Sequence, residues 1–158
     1  MIRLASRTLL CCLALVLIDT RSASPASPAP PTYRCQGFDE PIHDDMTIGK
    51  GRVLPLRAKL VLPDGTFADQ TTVKTPPAIT FQFLPEGGAA VDKTGGMEVR
   101  DYGKGNHFVW DDEAHWKFDL GTGNLADLGR YKASLVSGDE AEYKVDPGCA
   151  VTFTLKMK

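Results

Sequence analysis

Three consecutive carboxylates, Asp111-Asp112-Glu113, are the densest run of acidic groups in the chain. Hard cations such as calcium take oxygen donors, so a turn of this composition is the first place to look for a metal. The spaced D-x-D-x-D-G order of a dedicated calcium loop is missing. A solvated turn whose aspartate bonds its own backbone accounts for the same residues. No metal is therefore expected at Asp111, Asp112 or Glu113, and no cofactor elsewhere. His43-Asp44-Asp45 sets an imidazole beside two carboxylates, but no second histidine follows at ligand spacing. The remaining histidines, His107 and His115, flank a predicted hairpin and can meet across it. No G-x-S-x-G elbow or glycine-rich phosphate loop is present, so no catalytic residue is assigned. Trp110 and Trp116 remain: aromatic rings on a sheet face either bind sugars and peptides or fill the core, and the alternation around them places at least one in the core.

These residues lie on a β framework. In His107–Lys132, Phe108 and Trp110 alternate, and Trp116, Phe118 and Leu120 repeat the alternation after the acidic turn. Period-two spacing of this kind marks half-buried antiparallel strands. Earlier in the chain, 33–38 reads as an edge strand, and Met46 with Ile48 as a short one. In 53–62, Leu54, Leu56, Ala58, Leu60 and Leu62 share a face, with Pro55 requiring a strand start or an edge. Ile79, Phe81 and Phe83 form the next strand, and 97–100 a short one. Tyr131, Ala133 and Leu135 follow; Ala141, Tyr143 and Val145 should return antiparallel after the turn at 137–140, and Val151, Phe153 and Leu155 close the chain. No helical period is sustained. Seven or eight short strands with turns every eight to twelve residues indicate an all-β, antiparallel β-sandwich.

The first 26 residues order Arg3 and Arg7, the apolar run 9–18 and a small-residue region ending at Ala26, as a secretory signal peptide does. The run is too short for a membrane-spanning helix, so no span is expected after cleavage. Cleavage after Ala26 suits the small-residue rule better than cleavage after Ala23, which leaves Arg21 three places back. A Pro-rich linker, 27–32, then leads into a domain at 33–158. Cys11 and Cys12 leave with the signal. Cys35 and Cys149 remain, and an exported chain with two cysteines points to a disulfide between first and last strands, with two buried thiols as the alternative. Removal of residues 1–26 takes away three arginines and Asp19, moving the formal net charge from −2 to −4. That balance gives no reason to expect nucleic acid or an anionic membrane as partner. The expected location is secreted or periplasmic, and the expected state a monomer.

Leu125-x-Asp127-x-Gly129-x-Tyr131 resembles the immunoglobulin corner motif L-x-D-x-G-x-Y-x-C, with Ala133 in place of the cysteine. In that family the tyrosine opens strand F and its hydroxyl bonds back to the corner backbone. A broader resemblance runs through Gly37-Phe38-x-x-Pro41-Ile42, Lys50-Gly51-x-x-Leu54-Pro55-Leu56-Arg57-Ala58, Phe108-Val109-Trp110-Asp111 and the terminal T-F-T-L. It is to the bacterial PxKF domain, named for a V-P-V-K-F strand that is L-P-L-R-A here. The resemblance implies an immunoglobulin-like accessory module of a secreted protein, without catalytic residues. The function expected is binding or adhesion, to an extracellular protein or glycan. The alternatives are a small inhibitor wedging the end loops 39–50 or 87–105 into an enzyme, a purely structural subunit and, last, an enzyme.

Overall fold

The computed structural model describes residues 28–111 and 113–158; the predicted signal peptide, and Asp112, lie outside the described residues. Eleven strands follow in order: β1 (Thr32–Phe38), β2 (Met46–Gly49), β3 (Val53–Val61), β4 (Ala78–Leu84), β5 (Val91–Asp92), β6 (Glu98–Val99), β7 (Val109–Trp110), β8 (Trp116–Gly121), β9 (Gly129–Val136), β10 (Lys144–Val145) and β11 (Ala150–Lys156). Four of them are two-residue pieces, so β1, β2, β3, β4, β8, β9 and β11 are the seven strands that make the layers. One sheet runs β10-β1-β3-β8-β6, with β7 also on β8, and the other β2-β11-β9-β4-β5. With β1, β3, β6 and β8 as A, B, D and E, and β4, β9 and β11 as C, F and G, these are the A-B-E-D and C-F-G sheets of the immunoglobulin sandwich.

The core follows from the alternation. Leu54, Leu56, Ala58 and Leu60 face Ile79, Phe81, Tyr131, Ala133, Leu135, Val151, Phe153 and Leu155, all buried. Burying each large aliphatic or aromatic side chain contributes roughly 1.5–3 kcal/mol. Pro55 fits a central strand for a definite reason. Asp119, its partner on β8, turns both backbone polar groups away toward Arg100 and Tyr102. Opposed residues of an antiparallel pair without mutual bonds point their own groups outward. The missing N–H therefore faces the side that β1 has already left, its last bond there being Asp39 N–H to Arg57 O at 2.9 Å.

Three expectations need correction. The edge pairings β1–β10 and β2–β11 are parallel. Residues 141–145 do not return along β9: only Lys144–Val145 is a strand, and it joins β1 in the opposite sheet. Asp139 coils the preceding residues, its carbonyl accepting from both Glu142 and Tyr143 N–H. β1 is not an edge strand, since β10 lies along it on the side away from β3.

Strand D is split. After β6, residues 100–102 keep to β8; the chain then swings out, and Asn106 O and Phe108 N–H bond Ile79 N–H and Pro77 O at the head of β4. Only then does β7 rejoin β8. Gly103 starts the detour: its φ is +131°, and a Cβ there would lie 2.7 Å from Val99 and 3.0 Å from Phe118.

Tyr131 is the third residue of β9, and its hydroxyl donates to Asp127 O at 2.8 Å. Its ring stacks on Phe81 at 5.0 Å and Phe153 at 5.8 Å. Gly129, at φ +134°, packs against Phe83. Cys35 on β1 and Cys149, one residue before β11, form a disulfide with Cα atoms 5.2 Å apart, within the bridging range of about 4.4–6.8 Å.

Candidate functional site

The acidic turn closes the β7–β8 hairpin. Asp111 Oδ1 accepts from Glu113 N–H at 3.0 Å and His115 N–H at 2.9 Å. Its other oxygen meets the ammonium of Lys117, and both side chains are nearly buried. Glu113 reaches out to Arg57 at 3.7 Å and Lys117 at 3.8 Å. His115 Nε2 lies 2.9 Å from Asp39 Oδ2, while its buried Nδ1 sits 3.7 Å from Asp111 Oδ1 without a hydrogen-bond partner. Asp111, Glu113 and His115 thus bring ligand atoms within 4.8 Å of one another. Yet Lys117 already neutralises Asp111, and a divalent ion would have to displace that ammonium and then sit beside it. The turn is an internally compensated ion-pair network. Lys117 is the residue sequence reading missed: the alternation of Trp116-Lys117-Phe118 puts it on the outer face, but its burial comes from Tyr102, whose ring centre is 5.1 Å from Nζ, and from the folded-over turn. On the same strand, burial pushes the Asp119 carboxyl up, as does the charge of Asp101.

The other histidines separate. His43 Nδ1 is 3.0 Å from Asp44 O. Asp44 Oδ1 accepts from Thr152 N–H at 2.8 Å and Asp45 pairs with Arg130 at 2.9 Å, so these two aspartates dock β2 onto the far sheet. His107 and His115 do not meet across the hairpin. The detour carries His107 to β4, where its Nδ1 donates to Pro76 O at 3.2 Å; a carbonyl oxygen only accepts, which fixes the proton there.

That detour also opens a groove of about 730 Å³ between β7 and the segment 70–76. Trp116 is its buried back, with the indole N–H donating to Ala68 O at 2.7 Å. Trp110 stands edge-on against it, ring centres 5.2 Å apart, and is half-buried at the groove wall. Val73, Pro76, Phe108 and Val109 supply further apolar lining, and Lys74, Lys104 and His107 the charged or titratable groups. The opposite wall is braced from behind. Glu142 accepts from Lys74 N–H at 2.6 Å and Thr75 N–H at 3.0 Å. Although burial raises its pKa, these bonds more than offset that and hold the carboxyl below its ordinary range. Tyr143 donates to Thr75 O at 3.0 Å and accepts from Gly138 N–H at 3.1 Å. Gly138 comes so near that a Cβ would lie 2.1 Å from Pro76 O. An apolar concavity with a few fixed polar groups and rigid walls is the usual form of a ligand site.

No protein-family model matches the chain, and no curated protein is significantly similar to it. Among solved structures, the crystal structure of the RIG-5 IG1 homodimer is similar over 82% of this chain and 99% of that chain, with 13% identity and a TM-score of 0.31. At that score the fold assignment rests on the strand order and corner described above.

Proposed function

We propose that this chain is an exported, non-catalytic immunoglobulin-like binding module of the PxKF kind, and that it engages an extracellular ligand through the groove beside Trp110. The observation that carries this reading is the asymmetry of the tryptophan pair. Trp116 is sealed in the core, whereas Trp110 is offered to a groove whose far wall is fixed by Glu142, Tyr143 and Gly138. A large ring at a groove wall supplies contact area with little conformational freedom to lose. The ion-pair network of the acidic turn holds β7, and hence Trp110, in register with β8. Export is supported by the signal-like order of residues 1–26 and by the disulfide, which oxidising compartments favour.

Arrays of envelope polysaccharides and extracellular proteins, probed with wild type and Trp110→Ala at matched folded fraction, test the reading. A ligand whose affinity falls at least tenfold in the variant supports it. Binding indifferent to Trp110 would place the site elsewhere on the sandwich.

A further inference from the structure

Resting on that reading, we infer that the groove takes an anionic glycan, a polysaccharide bearing carboxylate or sulfate groups, recognised through side chains alone. Two observations carry this. The first is charge. The mature chain carries a formal −4, yet every charged side chain lining the groove is a lysine: Lys74 on one wall and Lys104 on the other, both exposed. Neither makes a salt bridge among the described residues. Of the carboxylates on neighbouring segments, Glu142 accepts from the N–H groups of Lys74 and Thr75 behind the wall, where the Lys74 charge also acts on it, and Asp69 is held by Thr71 and Thr72. Two ammonium groups flanking an apolar floor suit a ligand with negative charge on an otherwise stackable body.

The second observation removes one wall of the groove from the commonest peptide mode. A peptide adding as a strand needs free main-chain groups along the receiving edge. On the wall at 74–77 most are consumed: Lys74 and Thr75 N–H by Glu142, Thr75 O by Tyr143, Pro76 O by His107 and Pro77 O by Phe108 N–H. Pro76 and Pro77 have no N–H to offer. That wall is left with a proline ring and Lys74, which with the indole and Lys104 opposite suit a pyranose ring and its acid group.

Affinity electrophoresis through gels containing polygalacturonate, dextran sulfate, fully methyl-esterified pectin or polyglutamate tests the inference, at two salt concentrations. Polygalacturonate or dextran sulfate should retard the wild type, which of the two does so naming carboxylate or sulfate as the group read. Retardation should weaken with salt and fall at least tenfold in the double variant Lys74→Gln/Lys104→Gln, whose urea midpoint serves as the folding control. Methyl-esterified pectin, with the same sugars uncharged, should bind at least tenfold less tightly. Equal retardation by that pectin, lost in Trp110→Ala but not in the lysine variant, keeps the groove as the site and overturns its anion preference. Equal or stronger retardation by polyglutamate makes acidic protein the partner and overturns the glycan. No retardation by either polyanion, or retardation unchanged in the lysine variant, also overturns it.

Discussion

Tyr131 holds the corner with one oxygen. Its ring is buried among Phe81, Phe83 and Phe153, and burial pushes its hydroxyl pKa up, so the group stays a donor to Asp127 O across any ordinary pH. Tyr131→Phe deletes only that bond and should cost about 1 kcal/mol by urea denaturation, with the β signature unchanged. Asp127 itself pairs with Lys93 at 2.9 Å, and both side chains are partly exposed, so Asp127→Ala should cost less. Glu142 brings a pH dependence. Its pKa is lowered on folding, so the unfolded state binds the proton more readily and stability falls as pH drops through the folded value. Glu142→Gln should therefore cost about 1 kcal/mol at pH 7, a modest figure because solvent reaches the carboxylate, and the difference from wild type should shrink by pH 3. Lys117 is buried against Asp111, and removing one partner strands the other charge. Lys117→Met should destabilise by about 3–5 kcal/mol. Calcium or a chelator should leave the wild-type melting temperature unmoved, since a ligand specific to the folded state would raise it.

Among the elements, the groove wall depends on a turn. Gly138→Ala would drive a methyl into Pro76 O and should cost about 1–3 kcal/mol while loosening 74–76, seen as faster amide exchange at Lys74 and Thr75. It is also at this scale that the limits of sequence reading show. β3, β4, β9 and β11 were legible because each buries one face along its whole length, so period two is written in Leu54–Leu60, Ile79–Phe81, Tyr131–Leu135 and Val151–Leu155. The corner was legible because Asp127, Gly129 and Tyr131 act within five residues. Residues 141–145 were misread: Ala141 and Tyr143 carry the alternation of a strand, but Asp139 and Glu142 take them into a turn through bonds that include segment 74–75, far away in sequence. The detour of 103–108 and the burial of Lys117 have the same origin. The groove was invisible for that reason, although one of its two tryptophans was expected to be in the core.

For the whole molecule, the two layers meet along β4 and the detour, and again through Cys35–Cys149. Titration of the denatured, unreduced protein should find no free thiol from this pair. Replacing both cysteines by serine should cost about 4–5 kcal/mol, the chain-entropy figure for so long a loop. The bridge has a mechanical consequence too. Here Cys35 lies in the first strand and Cys149 just before the last, 114 residues apart, so tension entering through the ends acts on β11, then crosses the bond and bypasses the loop between the two cysteines. Stretched in a force spectrometer, the oxidised protein should lengthen only by the short segments outside the bridge. Reduction should release roughly 390 Å more, at about 3.4 Å for each residue of the loop. The loop between the cysteines, groove included, carries none of that tension, and β11 is the strand that bears it.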